Sequence, residues 1–400
     1  MPAIYITGIG IVSALGVGQT AQLDALRSGR TGLSRSAHLR STHGSAFPFG
    51  EVPFSTDELM EMVSSREHLH PSRLQALGAL ALEEALRQAA PAPAGFRQGL
   101  INATTVGGMT DIEDRYFDLI QPDHKEDDEI WAAGLDCATG TEHLARQFGL
   151  TSFLTTISTA CSSSANAIQY GARLLQQGLL DRAVCGGVDS LTRFTVNGFN
   201  SLKNLDRERC RPFDANRNGL NLGEGAAYLV LETEAGLKKT GSRPLAQVSG
   251  FSNFNEAFHP TAPSPEGMGA YEAMKRAIER AGLQPGDISY INAHGTATIN
   301  NDESEGRAIR RLFGDEVPPF SSTKVYTGHT LAASGAIEAV FSVLNLLNQE
   351  IYPALHFGQP MEGIGLIPLQ EYKKTSLQHI LSNSFGFGGN NASLIFSRND

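Results

Sequence analysis

Short runs of apolar and β-branched residues alternate along the chain with amphipathic stretches, the pattern of strands that feed helices. Residues 4–15 (IYITGIGIVSAL) read as a strand broken by a glycine turn, and 21–27 as a short helix. The clearest helix spans 72–89, with Leu74, Leu77, Ala81 and Leu82 on one face and Glu83, Glu84 and Arg87 on another. Further strands are expected at 99–105, 153–157, 182–188 and 225–232, bounded by glycines and polar residues. Ala165, Ile168, Ala172 and Leu175 recur at helical spacing after the second of these, up to Gly178. Residues 30–67 look like an irregular surface excursion, 111–131 like a charged helix, and 200–222 like a long arginine-rich loop.

The same rhythm returns in the second half. A strand at 244–251, a helix at 267–281 and a strand at 288–293 lead to His294. A helix at 302–312 and a strand at 320–325 lead through Tyr326-Thr327-Gly328 to His329. The next helix places Ile337, Val340, Phe341, Leu344 and Leu347 on one face, and two last strands flank a glycine turn. The charged segment 238–243 marks the boundary, giving halves 1–240 and 241–400. Alternating strands and helices predict an α/β fold with helices covering the sheets. In each half a strand delivers a reactive residue to a helix start: Cys161 in the first, His329 in the second.

Composition narrows the function. With 41% hydrophobic and 18% charged residues among 400, the chain is an ordinary globular one with room for a large core. A net charge of −10 argues against general binding to nucleic acid or anionic membrane, leaving only a local basic patch. The four cysteines show neither CxxC pairs nor metal-ligand spacing, so no metal is expected. No signal-like N-terminus or long apolar span stands out, which predicts a cytoplasmic protein with reduced thiols.

Chemistry gathers at four places. Cys161 lies in Ser158-Thr159-Ala160-Cys161-Ser162-Ser163-Ser164, where a strand turns into a helix. A helix start favours negative charge and so favours a thiolate there; a lone cysteine is nonetheless more often a small buried residue. His294 (NAHGTAT) and His329 (KVYTGHT) each stand at a strand end beside glycine and threonine, suited to donating a hydrogen bond or accepting a proton. Lys324 precedes the second histidine, and a partly buried lysine there needs a carboxylate, with Glu338 and Glu305 the candidates. Near the end, Asn383-Ser384-Phe385-Gly386-Phe387-Gly388-Gly389-Asn390-Asn391 frees backbone N–H groups for an oxyanion hole, while its aromatics wall a pocket.

TACSSS, HGTAT, KVYTGHTLAASGAIE and SNSFGFGGNNASLIF, in that order over nearly the whole chain, resemble the β-ketoacyl-acyl-carrier-protein synthase family. Arg211-Pro212-Phe213-Asp214 and Leu222-Gly223-Glu224-Gly225-Ala226 agree with it. The resemblance implies the thiolase fold, two similar halves in a five-layered α-β-α-β-α arrangement, as a homodimer or a heterodimer with a related subunit. It implies a decarboxylative condensation: Cys161 takes an acyl group from acyl carrier protein, malonyl-carrier protein loses carbon dioxide, and the carbanion attacks the acyl-cysteine. His294 and His329 would stabilise the enolate, and the backbone amides of Cys161 and Phe387 the tetrahedral oxyanion. Lys324, with Glu305 and Glu338 as partners, would support the histidines. Thr296 and Thr298 would bind the phosphopantetheine arm, with Phe385 and Phe387 beside the substrate. No metal or redox cofactor is implied.

The chain also departs from the family pattern. Gly-Leu-Thr-Ser replaces Gly-Pro-Ser ahead of the nucleophile strand, Arg217-Asn218-Gly219-Leu220 replaces Arg-Asp-Gly-Phe, and Asn390 turns GFGGTN into GFGGNN. With its shorter N-terminal excursion, the sequence looks more like synthases of aryl-polyene or flexirubin-type pigment pathways. An acidic carrier would need a basic dock, for which Lys203, Arg207, Arg209, Arg211, Arg66 and Arg73 are candidates. Two other classes share the resemblance: a non-catalytic chain-length-factor subunit, and a thiolase-like enzyme acting on coenzyme A esters.

Overall fold

In the computed structural model, which describes residues 2–64, 72–120 and 133–399, the predicted rhythm becomes two copies of one topology. The first half runs β1 (Ile4–Ser13), α1 (Arg73–Gln88), β2 (Gln98–Ala103), α2 (Cys137–Phe148), β3 (Phe153–Ile157), α3 (Ser163–Gln176), β4 (Arg182–Asp189), β5 (Gly225–Thr233). The second runs β6 (Ala246–Asn255), α4 (Met268–Ala281), β7 (Tyr290–Asn292), α5 (Ile299–Phe313), β8 (Phe320–Ser321), α6 (Ser334–Asn348), β9 (His379–Gly386), β10 (Asn390–Arg398). In space the strands lie β3-β2-β4-β5-β1 and β8-β7-β9-β10-β6. In both, the first two pairings are parallel and the next two antiparallel. A short antiparallel contact, Tyr5 with Gln247 and Ile6 with Ala246, joins the two sheets edge to edge.

Side chains alternate along each strand and sort themselves into layers. Leu229 and Leu231 of β5, with Leu394 and Phe396 of β10, face inward onto α3 and α6, whose Ile168, Leu175, Ile337 and Val340 fill the centre. Val184 and Val230 face outward under α1 and α2. Ile291, Leu381 and Ile395 face outward under α4 and α5. The order is helix, sheet, helix, sheet, helix: the five-layered fold that the resemblance implies. The stretch Leu331–Asn348, which contains α6, is apolar and long enough to cross a membrane, yet 89% of it is buried here as the central core helix. Leu347, expected on its buried face, is 45% exposed at the helix end.

Three local expectations are corrected. No turn breaks the first strand at its glycines. Gly8 and Gly10 lie inside β1 because a Cβ there would sit 2.1 and 2.0 Å from the carbonyl oxygens of Ala85 and Ala81, so glycine lets α1 pack onto the backbone. The 30–67 excursion contains a helix, Thr56–Met62, started by a capping box in which Ser55 and Glu58 exchange hydrogen bonds of 2.7 and 3.2 Å. The strand expected over 320–325 stops at Ser321, and Lys324 opens a single helical turn, Lys324–Thr327.

Candidate active site

Cys161 sits between β3 and α3 in a tight turn. Ala160 takes φ 52°, and Ser163 holds the bend by accepting from the Thr159 amide at 2.8 Å. The thiol is buried, and burial pushes it up to about 11. Lys324 and the backbone amides of Phe387 and Cys161 itself pull the other way without prevailing. The expected low thiol pKa is therefore overturned: desolvation outweighs the helix start.

His294 and His329 meet this thiol from the second half. The sulfur and one nitrogen of each ring lie within 4.8 Å of one another, and the two rings stand edge to face with centroids 5.5 Å apart. Burial, with Lys324 nearby, holds both histidines well below the usual range, so both are neutral. Their hydrogen bonds fix the tautomers. The Leu331 amide donates to His329 Nδ1 at 3.2 Å, and Lys324 Nζ lies 3.3 Å from His294 Nδ1. With both Nδ1 atoms accepting, each ring carries its proton on Nε2.

The supporting carboxylates divide the work. Glu338 is the partner of Lys324 in a buried ion pair. Glu305 is not: its oxygens accept from the His294 and Gly295 amides at 2.9 and 2.8 Å and from Asn383 Nδ2 at 3.0 Å, fixing the backbone that carries His294. The arginine-rich loop has its part too, since Asn221 O accepts from the His329 amide at 2.7 Å and the Gly223 amide donates back at 2.9 Å.

A pocket of about 240 Å³ opens onto this group. Cys161, His294, His329, Thr296, Thr298, Phe385 and Phe387 all line it, so the sequence-predicted substrate residues come together. Thr296 and Thr298 share a 2.9 Å hydrogen bond, and Phe385 packs on His294 at 5.8 Å. Three residues were missed. Phe199 stacks on Phe387 at 5.7 Å, and no local sequence signal marks it. Ser334 sits 3.0 Å from His329 Nδ1. Asp189, a buried carboxylate at the end of β4, accepts from the Ala332 amide at 2.9 Å and steadies the turn after His329. A carboxylate closing an apolar strand was the available clue.

Cys161, His294 and His329 have the donor types of a zinc site. The Lys324 ammonium against His294, and a thiol held protonated by burial, both oppose a divalent cation there. The proposed carrier dock breaks up. Arg73 is buried and bonded to Glu224 Oε2 at 2.9 Å, and serves the core. Arg66 lies outside the described residues. Lys203 lines the pocket at Cys161, whereas Arg207, Arg209 and Arg211 line a separate open pocket with Arg35 and His356.

Comparison with known proteins agrees with this geometry. The profile of the β-ketoacyl synthase N-terminal domain matches residues 1–236, and that of the C-terminal domain residues 245–358. The chain is 32% identical over 409 residues to 3-oxoacyl-[acyl-carrier-protein] synthase 2 of Vibrio cholerae, covering 99% of each. It is 34% identical over 420 residues to the protein of the same name from Rhizobium meliloti, covering 100% of this chain and 99% of the relative. Among solved structures, the ishigamide ketosynthase/chain length factor superposes with a TM-score of 0.89 at 27% identity, covering 100% of both chains. The ketosynthase ApeO, solved in complex with its chain length factor ApeC from Xenorhabdus doucetiae, gives 0.84 at 32% identity, covering 100% and 98%. With profile matches over both halves and relatives of this identity along its full length, the chain belongs to the β-ketoacyl synthase family and is a carbon–carbon bond-forming acyltransferase.

Proposed function

We propose that Cys161 is the acyl-accepting nucleophile, that His294 and His329 bind and decarboxylate the malonyl thioester, and that both substrates arrive on acyl carrier protein. The meeting of one sulfur and two neutral imidazoles within 4.8 Å at a pocket floor carries the reading. In the first step the Cys161 sulfur displaces the carrier thiol from the acyl thioester, and its proton leaves with that thiol. A thiol held protonated suits such an exchange, which neither gains nor loses a proton overall. In the second step the malonyl carboxylate leaves as carbon dioxide. Charge moves to the thioester oxygen, where two Nε2–H groups donate to it. The carbanion then attacks the acyl-cysteine carbonyl, and the Cys161 and Phe387 amides hold the oxyanion. Its collapse expels the Cys161 thiolate, which takes one proton from water to return to the resting thiol. The product is a 3-oxoacyl thioester two carbons longer.

The remaining roles follow from place. Lys324, paired with Glu338, keeps His294 neutral with its proton on Nε2, and Glu305 fixes the His294 backbone. Thr296 and Thr298 take the pantetheine arm, and Phe385 and Phe387 wall the acyl end. The repeated strand order supports division into 1–240 and 241–400. At the sheet's outer edge, β3 has half-exposed residues and Leu154 at 38%, which favours pairing with a second subunit. That subunit is another copy of this chain or, as in the two ketosynthase neighbours, a chain length factor. A pathway building polyene chains fits the shorter N-terminal excursion and the departures from the family motifs. Cys137, Cys161, Cys185 and Cys210 are free thiols, in keeping with the cytoplasm.

The test is incubation with acyl- and malonyl-carrier protein and mass spectrometry of the products. Condensation by wild type but not by Cys161→Ala is the expected result. Equal product from Cys161→Ala would refute the nucleophile, and no product from wild type would favour a chain-length-factor role. Charge reversal at Arg207 and Arg209 is expected to raise KM for the carrier; an unchanged KM removes them from the dock.

A further inference from the structure

The two amides that face the Cys161 sulfur come from opposite halves of the chain, the Cys161 amide from the start of α3 and the Phe387 amide from the glycine turn between β9 and β10. An oxyanion hole works only if such donors keep their spacing, because each must meet an oxygen at hydrogen-bond distance in the transition state. In the turn Gly388 and Gly389 take φ 81° and 79°. The Gly388 amide donates to the Pro260 carbonyl at 2.8 Å and the Gly389 carbonyl accepts from the Glu256 amide at 3.0 Å, which ties the turn to the second half. The first residue of β10 ties its far end to the first half. That residue is Asn390.

The Asn390 carboxamide oxygen accepts three hydrogen bonds. Ser162 Oγ, next to the nucleophile, donates at 2.8 Å, and Asn166 Nδ2, one turn into α3, at 2.9 Å. The third comes from Asn253 Nδ2 on β6 at 2.7 Å. The donors are themselves braced. Asn166 Nδ2 also reaches Thr159 Oγ1 at 2.9 Å and its oxygen accepts from Asn253 at 2.8 Å, while the Thr159 carbonyl, 2.8 Å from Ser162 Oγ, is the alternative acceptor for that hydroxyl's single proton. One oxygen thus ties the end of the glycine turn to the helix side of the Cys161 bend, through Asn166 to Thr159 before it, and to the neighbouring strand. A threonine, which the family motif carries here, ends its hydroxyl one bond nearer the backbone and has a single acceptor atom that is also a donor.

We propose that Asn390 is a positioning residue for acyl transfer: its side-chain oxygen holds the Phe387 amide in register with the Cys161 amide across the two halves. The proposal rests on Cys161 being the nucleophile. It separates the two half-reactions, because oxyanion stabilisation acts on the acyl-cysteine, whereas decarboxylation uses His294 and His329, which Asn390 does not contact.

The experiment compares Asn390→Leu, close in size but with no acceptor, with Asn390→Asp, which keeps an oxygen for all three donors. Rates of Cys161 acylation from an acyl-carrier thioester and of malonyl-thioester decarboxylation are measured on each. Asn390→Leu is expected to lower the acylation rate constant about 10- to 100-fold, less than the roughly 10²- to 10³-fold cost of deleting an oxyanion donor outright. KM for the acyl carrier and decarboxylation should change by less than about threefold. Asn390→Asp should recover most of the acylation rate. A leucine variant that acylates at the wild-type rate, or loses both half-reactions equally, overturns the proposal, as does an aspartate variant no better than leucine. If Asn390→Leu does not fold, Asn253→Ala removes one exposed donor and must shift the same ratio in the same direction; an unshifted ratio then overturns the proposal. Failure of the underlying reading looks different, since wild type itself would then show no acyl-cysteine.

Discussion

Replacing Lys324 by methionine separates what the buried ion pair does for stability from what it does for chemistry. Lys324 and Glu338 are 3% and 2% exposed. Deleting the ammonium strands a buried carboxylate, a change that costs about 3–5 kcal/mol when the charge persists. Glu338 has an escape, because burial already raises its carboxyl to about 7 even with Lys324 opposing, and without the lysine it rises further. A raised carboxyl keeps its proton in the folded state after the unfolded chain has lost its own. Its contribution is therefore complete below the ordinary 4.5 and is lost as pH rises through the folded value. Lys324→Met should accordingly cost little at pH ~5.5 and approach the full ~3–5 kcal/mol at pH ~8.5. Adding Glu338→Leu removes the stranded charge, and the double variant should return to within about 1 kcal/mol of wild type, as replaced buried pairs do. Chemistry should not return with it. His294 loses the cation that holds Nδ1 as an acceptor, and decarboxylation should stay depressed on the order of 10²-fold, the cost of one lost donor to a developing charge. Urea denaturation at the two pH values, run beside a carbon dioxide release assay, reads both effects. A double variant that decarboxylates at the wild-type rate would refute the role of Lys324. A single variant as stable as wild type at the higher pH would refute the energetics.

Other outcomes follow from the same burial. Since His294 and His329 are held well below 6.5, their ring resonances should show no titration from pH 8 down to 6, checked by NMR of histidine-labelled protein against the His→Gln variants; a midpoint near 6.5 for either contradicts the assigned protonation. With its thiol pushed up to about 11, Cys161 should be alkylated by iodoacetamide about tenfold faster per pH unit between pH ~7 and ~10, read by peptide mass spectrometry. A plateau by pH ~8 would mean a thiolate at rest. Glu305→Gln turns one accepting oxygen into a donor facing an N–H, at a cost of about 1–3 kcal/mol. It also removes a carboxyl that burial raises to about 7, so the deficit measured by thermal melts should be largest at low pH, where wild-type Glu305 contributes most, and shrink as pH rises through 7.

Most of the fold was legible because the pattern is strong wherever an element is buried on one side. The α1 face of Leu74, Leu77 and Ala81 appears in the sequence as it does in the core. The two halves announced themselves through Cys161 and His329 at matching helix starts, and the structure adds the matching strand order. Errors fell where tertiary contact overrides local signal. Gly8 and Gly10 look like a turn until α1 is laid against them. Lys324 reads as the end of a strand because Phe320, Val325 and Tyr326 are apolar, but their partners belong to different layers: Phe320 packs under the outer helices, Val325 and Tyr326 at the centre. Arg73 resembled a docking charge since nothing nearby in sequence reveals Glu224, 151 positions away.

The site shows a sharper limit. Residue types and order pointed to Cys161, His294, His329 and Lys324 as candidates but not to their protonation, because protonation depends on water that only the fold removes. A helix start stabilises a negative charge by about 0.3–1 kcal/mol, which moves a pKa by less than one unit; complete burial of a thiol outweighs it. The same desolvation acts in opposite senses on the three groups. It keeps two imidazoles neutral, which is what makes them N–H donors to an enolate, and it keeps the thiol protonated, which would hinder a nucleophile. Thioester exchange reconciles the two requirements, since the departing thiol takes the proton that Cys161 loses. In the proposed mechanism the Phe387 and Cys161 amides then stabilise charge where it develops. On the proposed roles, a drier site favours decarboxylation at the histidines at the expense of resting thiolate, and an amide pair held across the two halves by Asn390 would offset that loss where it falls, at the sulfur.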